Sequence, residues 1–192
     1  MLRTLLSATA IAAFASISSA AITITEVNPN GSSSTSGADW FELTNTGSSA
    51  VDITGWKIDD NSNSSANAVA LRGITSIPAM TRVIFAEANS SGTNDEDIKT
   101  AFKTAWFGSS VPVDFLIGTY GGSQVGLSSG GDAVNIYDAG NALIASVNFG
   151  STSLGATLDN TAGASGTIST FSQVGVNGAF TPTWLKVEIV PE

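Results

Sequence analysis

The chain is 192 residues long, with 16 acidic against 7 basic side chains and a net charge of −9; such a surface repels phosphate backbones and anionic bilayers, which sets nucleic-acid binding aside. Apolar residues make up 42%, too many for a disordered chain, while charged residues are only 12% against roughly 25% in an average globular protein. Cysteine and histidine are both absent, which excludes disulfides, leaves zinc and copper without their usual ligands, and removes the commonest general base.

Met1-Leu2-Arg3 is a short basic start, Leu5 to Ile17 is apolar with small side chains, and Ser18-Ser19-Ala20 offers the small residues a signal peptidase reads. Residues 1–20 are therefore expected to be a secretory signal peptide cut after Ala20. The run is shorter than the roughly 18–20 apolar residues of a membrane span, and no later stretch is long enough. The mature chain, residues 21–192, shows no repeat and no linker and reads as one domain.

Ala21 to Val27 alternates Ile and Thr as a first strand, and Asn28 to Gly37 is a polar loop. Trp40 to Thr44 reads as a second strand. A hairpin-type connection at Thr46-Gly47-Ser48-Ser49 leads from it to a paired third strand, Val51 to Ile58. Asn61 to Asn67 is an exposed loop, and Val69 to Leu71 and Arg82 to Ala86 are strands separated by a turn at Pro78.

One segment has helical periodicity: Ile98, Ala101, Phe102, Ala105 and Trp106 share a face. Thr93-x-x-Glu96 is a capping-box pattern, or Asn94 caps directly; Asp95, Glu96 and Asp97 suit the first turn, and Gly108 is placed to end the helix. Such a helix is expected to cover an open edge or end of a sheet. Strands follow at Val113 to Ile117, Gln124 to Leu127, Ala133 to Tyr137 and Leu143 to Phe149, with Thr170 to Val176 and Thr183 to Val190 as two more. Short strands with regular turn signals form the pattern of an all-β sandwich.

Several of these segments together resemble the lamin tail domain. They are Ile22-Thr23-Ile24-Thr25-Glu26-Val27, Trp40-Phe41-Glu42-Leu43-Thr44-Asn45, Val51-Asp52-Ile53-Thr54-Gly55-Trp56, and the pair Gly131-Asp132-Ala133-Val134-Asn135-Ile136-Tyr137 with Ala145 to Phe149. The likeness covers residues 22–150 and implies an immunoglobulin-like β-sandwich, here with one inserted helix. Similar longer versions occur in exported bacterial proteins. Val190-Pro191-Glu192 resembles the opening of the Val-Pro-Glu-Pro sorting signal of Gram-negative surface proteins; the apolar span and basic tail of that signal are missing, so truncation and coincidence both remain open.

Four constellations carry possible chemistry. Gly126-Leu127-Ser128-Ser129-Gly130 matches the nucleophile elbow, but without histidine and without a following helix it reads as a turn. Glu26, Asp39 and Glu42 lie near the first two strands, where paired carboxylates can do glycosidic acid–base work. As part of the fold signature they read instead as a turn cap, Asp39, and acceptors for backbone donors at strand ends. Asp59, Asp60 and Asn61, with Ser62 and Asn63 following, form the best metal candidate, with hard oxygens suited to Ca²⁺. The EF-hand spacing fails, because the sixth and twelfth positions counted from Asp59 are Ser64 and Ala70. Trp40, Trp56 and Trp106 read as core, while Trp184 beside Pro182 is expected to be partly exposed.

The leading expectation is a non-catalytic, exported structural or adhesion module, at the cell surface or outside the cell. Its partner would be an unidentified protein or glycan, met through the loops 28–37 and 61–67, with no cofactor needed, no nucleic acid and no membrane span in the mature chain. A Ca²⁺-stabilised or polysaccharide-binding extracellular domain is the alternative. A carboxylate-dependent hydrolase, or a module accompanying a nuclease, comes last.

Overall fold

The computed structural model describes residues 22–31, 37–154, 156–160, 166–168 and 171–173. The strands are β1 (Ile22–Asn28), β2 (Trp40–Asn45), β3 (Val51–Asp52), β4 (Lys57–Asp59), β5 (Val69–Ala70), β6 (Ser76–Ile77) and β7 (Arg82–Ala88). Helix α1 (Asp95–Phe107) follows, then β8 (Ile117–Gly121), β9 (Asp132–Tyr137), β10 (Leu143–Phe149), β11 (Ala156–Asp159), β12 (Gly166–Ile168) and β13 (Phe171–Gln173). They form one sheet in the order β13-β11-β1-β2-β7-β8, a second in the order β12-β10-β9-β4-β5, and a β3-β6 ribbon. This is an immunoglobulin-like β-sandwich with a single helix among the described residues.

Alternation fills the space between the sheets. Ile22 and Ile24 of β1, Phe41 and Leu43 of β2, and Val83 and Phe85 of β7 meet Ile58, Val134, Ile136 and Val147 of the second sheet in one core. A bulge between Ile24 and Glu26 shifts the phase of β1, so that Val27 also joins this core. The outward-facing residues of β2 and β7 form a second core: Trp40, Ile84 and Ala86, with Ile117, pack beneath Phe102 and Trp106 of α1. Trp40 meets those two rings edge-on at 5.6 and 5.0 Å.

The helix therefore lies on a sheet face, rather than on an edge or end. The reason is topological: β7 and β8 pair in parallel, and parallel neighbours need a long crossover, which α1 supplies. Its start also departs from expectation. Asn94 makes no side-chain cap bond; its Oδ1 accepts the Asn89 N–H instead. Arg72 grips the Asp95 carboxylate through Nε and Nη2 at 3.0 and 2.7 Å. Gly108 ends the helix at φ 57, as its position predicts.

The hairpin between the second and third segments does not form. β2 pairs with β1 and β7, whereas Val51 to Ile58 is split. The Asp52 carboxylate accepts the Thr54 N–H at 2.8 Å, Gly55 takes φ 75, and the chain turns from the β3-β6 ribbon into β4 of the opposite sheet. Ile53 and Trp56 fill the corner. Val113 to Leu116 and Gln124 to Leu127 are not strands either; β8 starts at Ile117, and Val125 and Leu127 plug the core from a loop. The β9-β10 hairpin is present. After Ser151 the chain returns to the sandwich, where β11 pairs with β1 and Leu158 enters the core. β13 falls within the predicted strand from Thr170; the strand at Thr183 to Val190, and Trp184, lie outside the described residues.

Asn45 fixes the exit from β2. Its Nδ2 donates to the carbonyls of Ser49, Ile77 and Pro78 at 2.8, 3.0 and 3.0 Å, and its Oδ1 accepts the Gly47 N–H at 2.9 Å. The side chain is wholly buried, so removing it strands several acceptors. Asn45→Ala is expected to cost about 3 kcal/mol in urea unfolding, or roughly 6–12 °C in Tm. A loss below about 1 kcal/mol would show that the bracket is dispensable.

Candidate functional site

The predicted metal loop is built from turn chemistry. Asp59 ends β4 at 1% exposure; its Oδ2 accepts the Ser62 hydroxyl and the Ser64 N–H at 2.7 and 2.6 Å. Its Oδ1 has no hydrogen-bond partner. Asp60 bends over its own loop and accepts the Ser62 N–H at 2.8 Å. Asn61 gives its N–H to Asp132 Oδ1 at 2.9 Å, and Asn135 Nδ2 donates to the Asp60 carbonyl at 2.6 Å. The polar contacts of these three neighbours tie the loop to itself and to β9. Among the described residues, no three Asp, Glu, His or Cys side chains gather as a metal site.

Glu26 and Glu42 are brought together. They are direct partners across the β1-β2 ladder, both fully buried. Like charges placed opposite one another repel, and the neighbours compensate. The Thr157 hydroxyl donates to Glu26 Oε1 at 2.6 Å and the Thr25 hydroxyl to Glu42 Oε1 at 2.5 Å. Since the Thr25 proton goes to Glu42, the Thr44 hydroxyl, 2.7 Å from Thr25, is its donor in turn. Arg82 Nε lies 3.8 Å from Glu42. These contacts are with hydroxyls and a guanidinium, beyond the backbone donors expected from sequence.

Asp39 stands apart from that pair, at one end of the space between the sheets. The Glu87 N–H donates to its carbonyl at 2.7 Å. Glu87 is in register with Tyr120, so both project from the same face of the first sheet. The Glu87 carboxylate presses on Gly122, where an added Cβ would sit 1.6 Å from Oε1. Burial foremost, then the charges of Glu87 and Asp132, pushes the Asp39 pKa up to about 7 against the pull of N–H groups at Leu127 and Gly31. Burial raises Glu87 as well. The wholly buried Tyr120 hydroxyl, which has no hydrogen-bond partner, is pushed far up by burial and then by Glu87, Asp39 and Asp132. Asp39 does cap the end loops, as sequence suggests, but Glu87, Asp132 and Tyr120 were missed. They come from three distant strands, and no local spacing announces them.

The remaining candidates resolve simply. Ser128 belongs to the turn into β9: its N–H donates to Asp132 Oδ2 at 2.7 Å, and its carbonyl accepts the Gly131 N–H at 3.0 Å. Trp40, Trp56 and Trp106 are core. No helix among the described residues is long and apolar enough to cross a membrane.

This is the architecture of an immunoglobulin-like class of domain. The family model described as Lamin Tail Domain matches residues 15–151, and the chain belongs to that family. No curated protein matches it.

Asp39 has a consequence for pH. In the unfolded chain its carboxyl ionises above about 3.8, whereas in the fold it keeps its proton up to about 7. The folded state therefore binds the extra proton in that window, and stability falls as pH rises through it. Asp39→Asn is expected to flatten the decline in Tm between pH 5 and 8 and to raise Tm at pH 8. An unchanged slope would place the proton elsewhere.

Proposed function

We propose that this chain is a non-catalytic exported module that acts by structural contact or adhesion at the cell surface or outside the cell. One observation carries the reading: Glu26 and Glu42, the signature carboxylates placed opposite each other across the β1-β2 ladder, are fully buried and bonded to hydroxyls of neighbouring strands. A substrate has no route to a pair with no exposed surface. The absence of histidine and the non-enzymatic character of the family support the same reading. The basic-apolar-small pattern of residues 1–20 supports export.

Expression of the full chain in a Gram-negative host tests this directly. The expected result is an exported protein whose intact mass begins at Ala21. A chain retained in the cytosol with Met1 to Ala20 attached contradicts the export half. Hydrolase activity lost in both Glu26→Gln and Glu42→Gln contradicts the non-catalytic half.

A second reading, a Ca²⁺-stabilised module, is favoured by one atom: Asp59 Oδ1, buried without a partner beside Asp60 and Asn61. Hard oxygens suit Ca²⁺, and a ligand that binds only the folded state raises Tm. On this reading Tm rises by several degrees with Ca²⁺ over chelator, and Asp60→Asn removes the rise. Identical melting curves with Ca²⁺ and with chelator dismiss it.

A further inference from the structure

The loop over residues 60–67 is held by bonds along its whole length. Asp59 Oδ2 accepts the Ser62 hydroxyl and the Ser64 N–H, and the Tyr137 hydroxyl donates to Asn63 Oδ1. Lys57 Nζ donates to the Ser65 carbonyl at 3.2 Å, and the Asn67 N–H returns to the Ser64 carbonyl at 3.0 Å. Across from it runs the loop between β8 and β9, pinned by Val125 and Leu127 in the core. Gln124, the neighbour of Val125, is exposed. Between the two loops lies a pocket of about 510 Å³, lined by Asp60, Ser62, Ala66, Asn67 and Gln124, within the ~300–1,000 Å³ range of small-ligand sites. Walls already fixed by internal bonds lose little further freedom when a ligand arrives.

The lining is polar and carries no cation. Asn67 and Gln124, both exposed, each bring an amide whose donor and acceptor arms stand side by side. Two neighbouring hydroxyls of a sugar ring present the same side-by-side pattern of donors and acceptors. Asp60 Oδ1 accepts the Ser62 N–H, and an ionised carboxylate has sites for about three more bonds. An anionic ligand meets Asp60 and a chain of net charge −9. A lone ammonium would leave the amide donors unused. We propose that the pocket binds a neutral sugar residue through neighbouring ring hydroxyls. Asn67 and Gln124 hold it from opposite walls, and Asp60 accepts a hydroxyl hydrogen bond. The inference rests on the adhesion reading above and deepens it by naming the partner as a neutral glycan. No aromatic ring lines the pocket, so one sugar residue is held with a Kd on the order of 1 mM. A glycan surface met by many copies compensates through avidity.

The test is NMR titration of the nitrogen-15-labelled full chain, in the presence of chelator. The probes are methyl α-mannoside and methyl α-glucoside, whose neighbouring hydroxyls include cis and trans pairs, beside the corresponding uronates. The side-chain amide signals of Asn67 and Gln124 are expected to move with at least one glycoside, and its uronate to bind several-fold more weakly. Asn67→Ala and Gln124→Ala should each weaken binding several-fold without changing Tm, read from the amide that remains. Should one variant fail to melt cooperatively, the other decides. No shift of these amides with either glycoside, uronates that bind as tightly, or binding indifferent to the variants overturns the proposal. So does binding that appears only when Ca²⁺ replaces the chelator, because a metal would then hold the sugar. Failure here, with export and the lack of hydrolase activity as expected, strikes the pocket alone. Methanol released from a glycoside strikes the non-catalytic reading instead.

Discussion

Strand β2 is buried at all six of its residues, Trp40 to Asn45, and most of the architecture follows from that constraint. In a central strand covered on both faces, each polar group left without a partner costs about 1–3 kcal/mol. Half of this strand is polar. Glu42 is answered by Thr25 and Arg82, Thr44 by Thr25, and Asn45 by three carbonyls and an amide of the adjoining turns. The sheet order, the bulge in β1 and the turn that leads to β3 are all consistent with meeting those demands.

Burial on the second face is the work of α1. The parallel pairing of β7 with β8 requires a crossover, and the crossover helix brings Phe102 and Trp106 down onto Trp40. Between the sheets, Asp39 lies at one end with Glu87 and Asp132, and burial first, then their charges, pushes its pKa up to about 7.

Period-two alternation made β1, β2, β7, β9 and β10 legible, because each buries one set of side chains in a shared core. The helical face from Ile98 to Trp106 and its glycine stop were equally plain. The division of Val51 to Ile58 between ribbon and sheet was not, since Ile53 and Trp56 look like any alternating pair until the Asp52 turn redirects the chain. The placement of α1 on a face was hidden for a related reason: Ile84 and Ala86 read as ordinary alternation, and only the parallel partner shows that their side is covered. At the candidate sites, local chemistry was readable and assembly was not. The Ser128 turn and the Asp60 loop follow from neighbours in sequence. The meeting of Asp39 with Glu87 and Asp132, or of Glu26 with Glu42, depends on register between strands far apart in the chain.

The signature carboxylates Glu26 and Glu42 are compensated by hydroxyls within the ladder. A double-mutant cycle by urea unfolding, using Thr25→Val and Glu42→Leu, tests this most directly. A hydrogen bond to a buried charge predicts a coupling energy of at least about 1.5 kcal/mol. Additivity within about 0.3 kcal/mol, with the stability of both single variants near that of the parent, would contradict it.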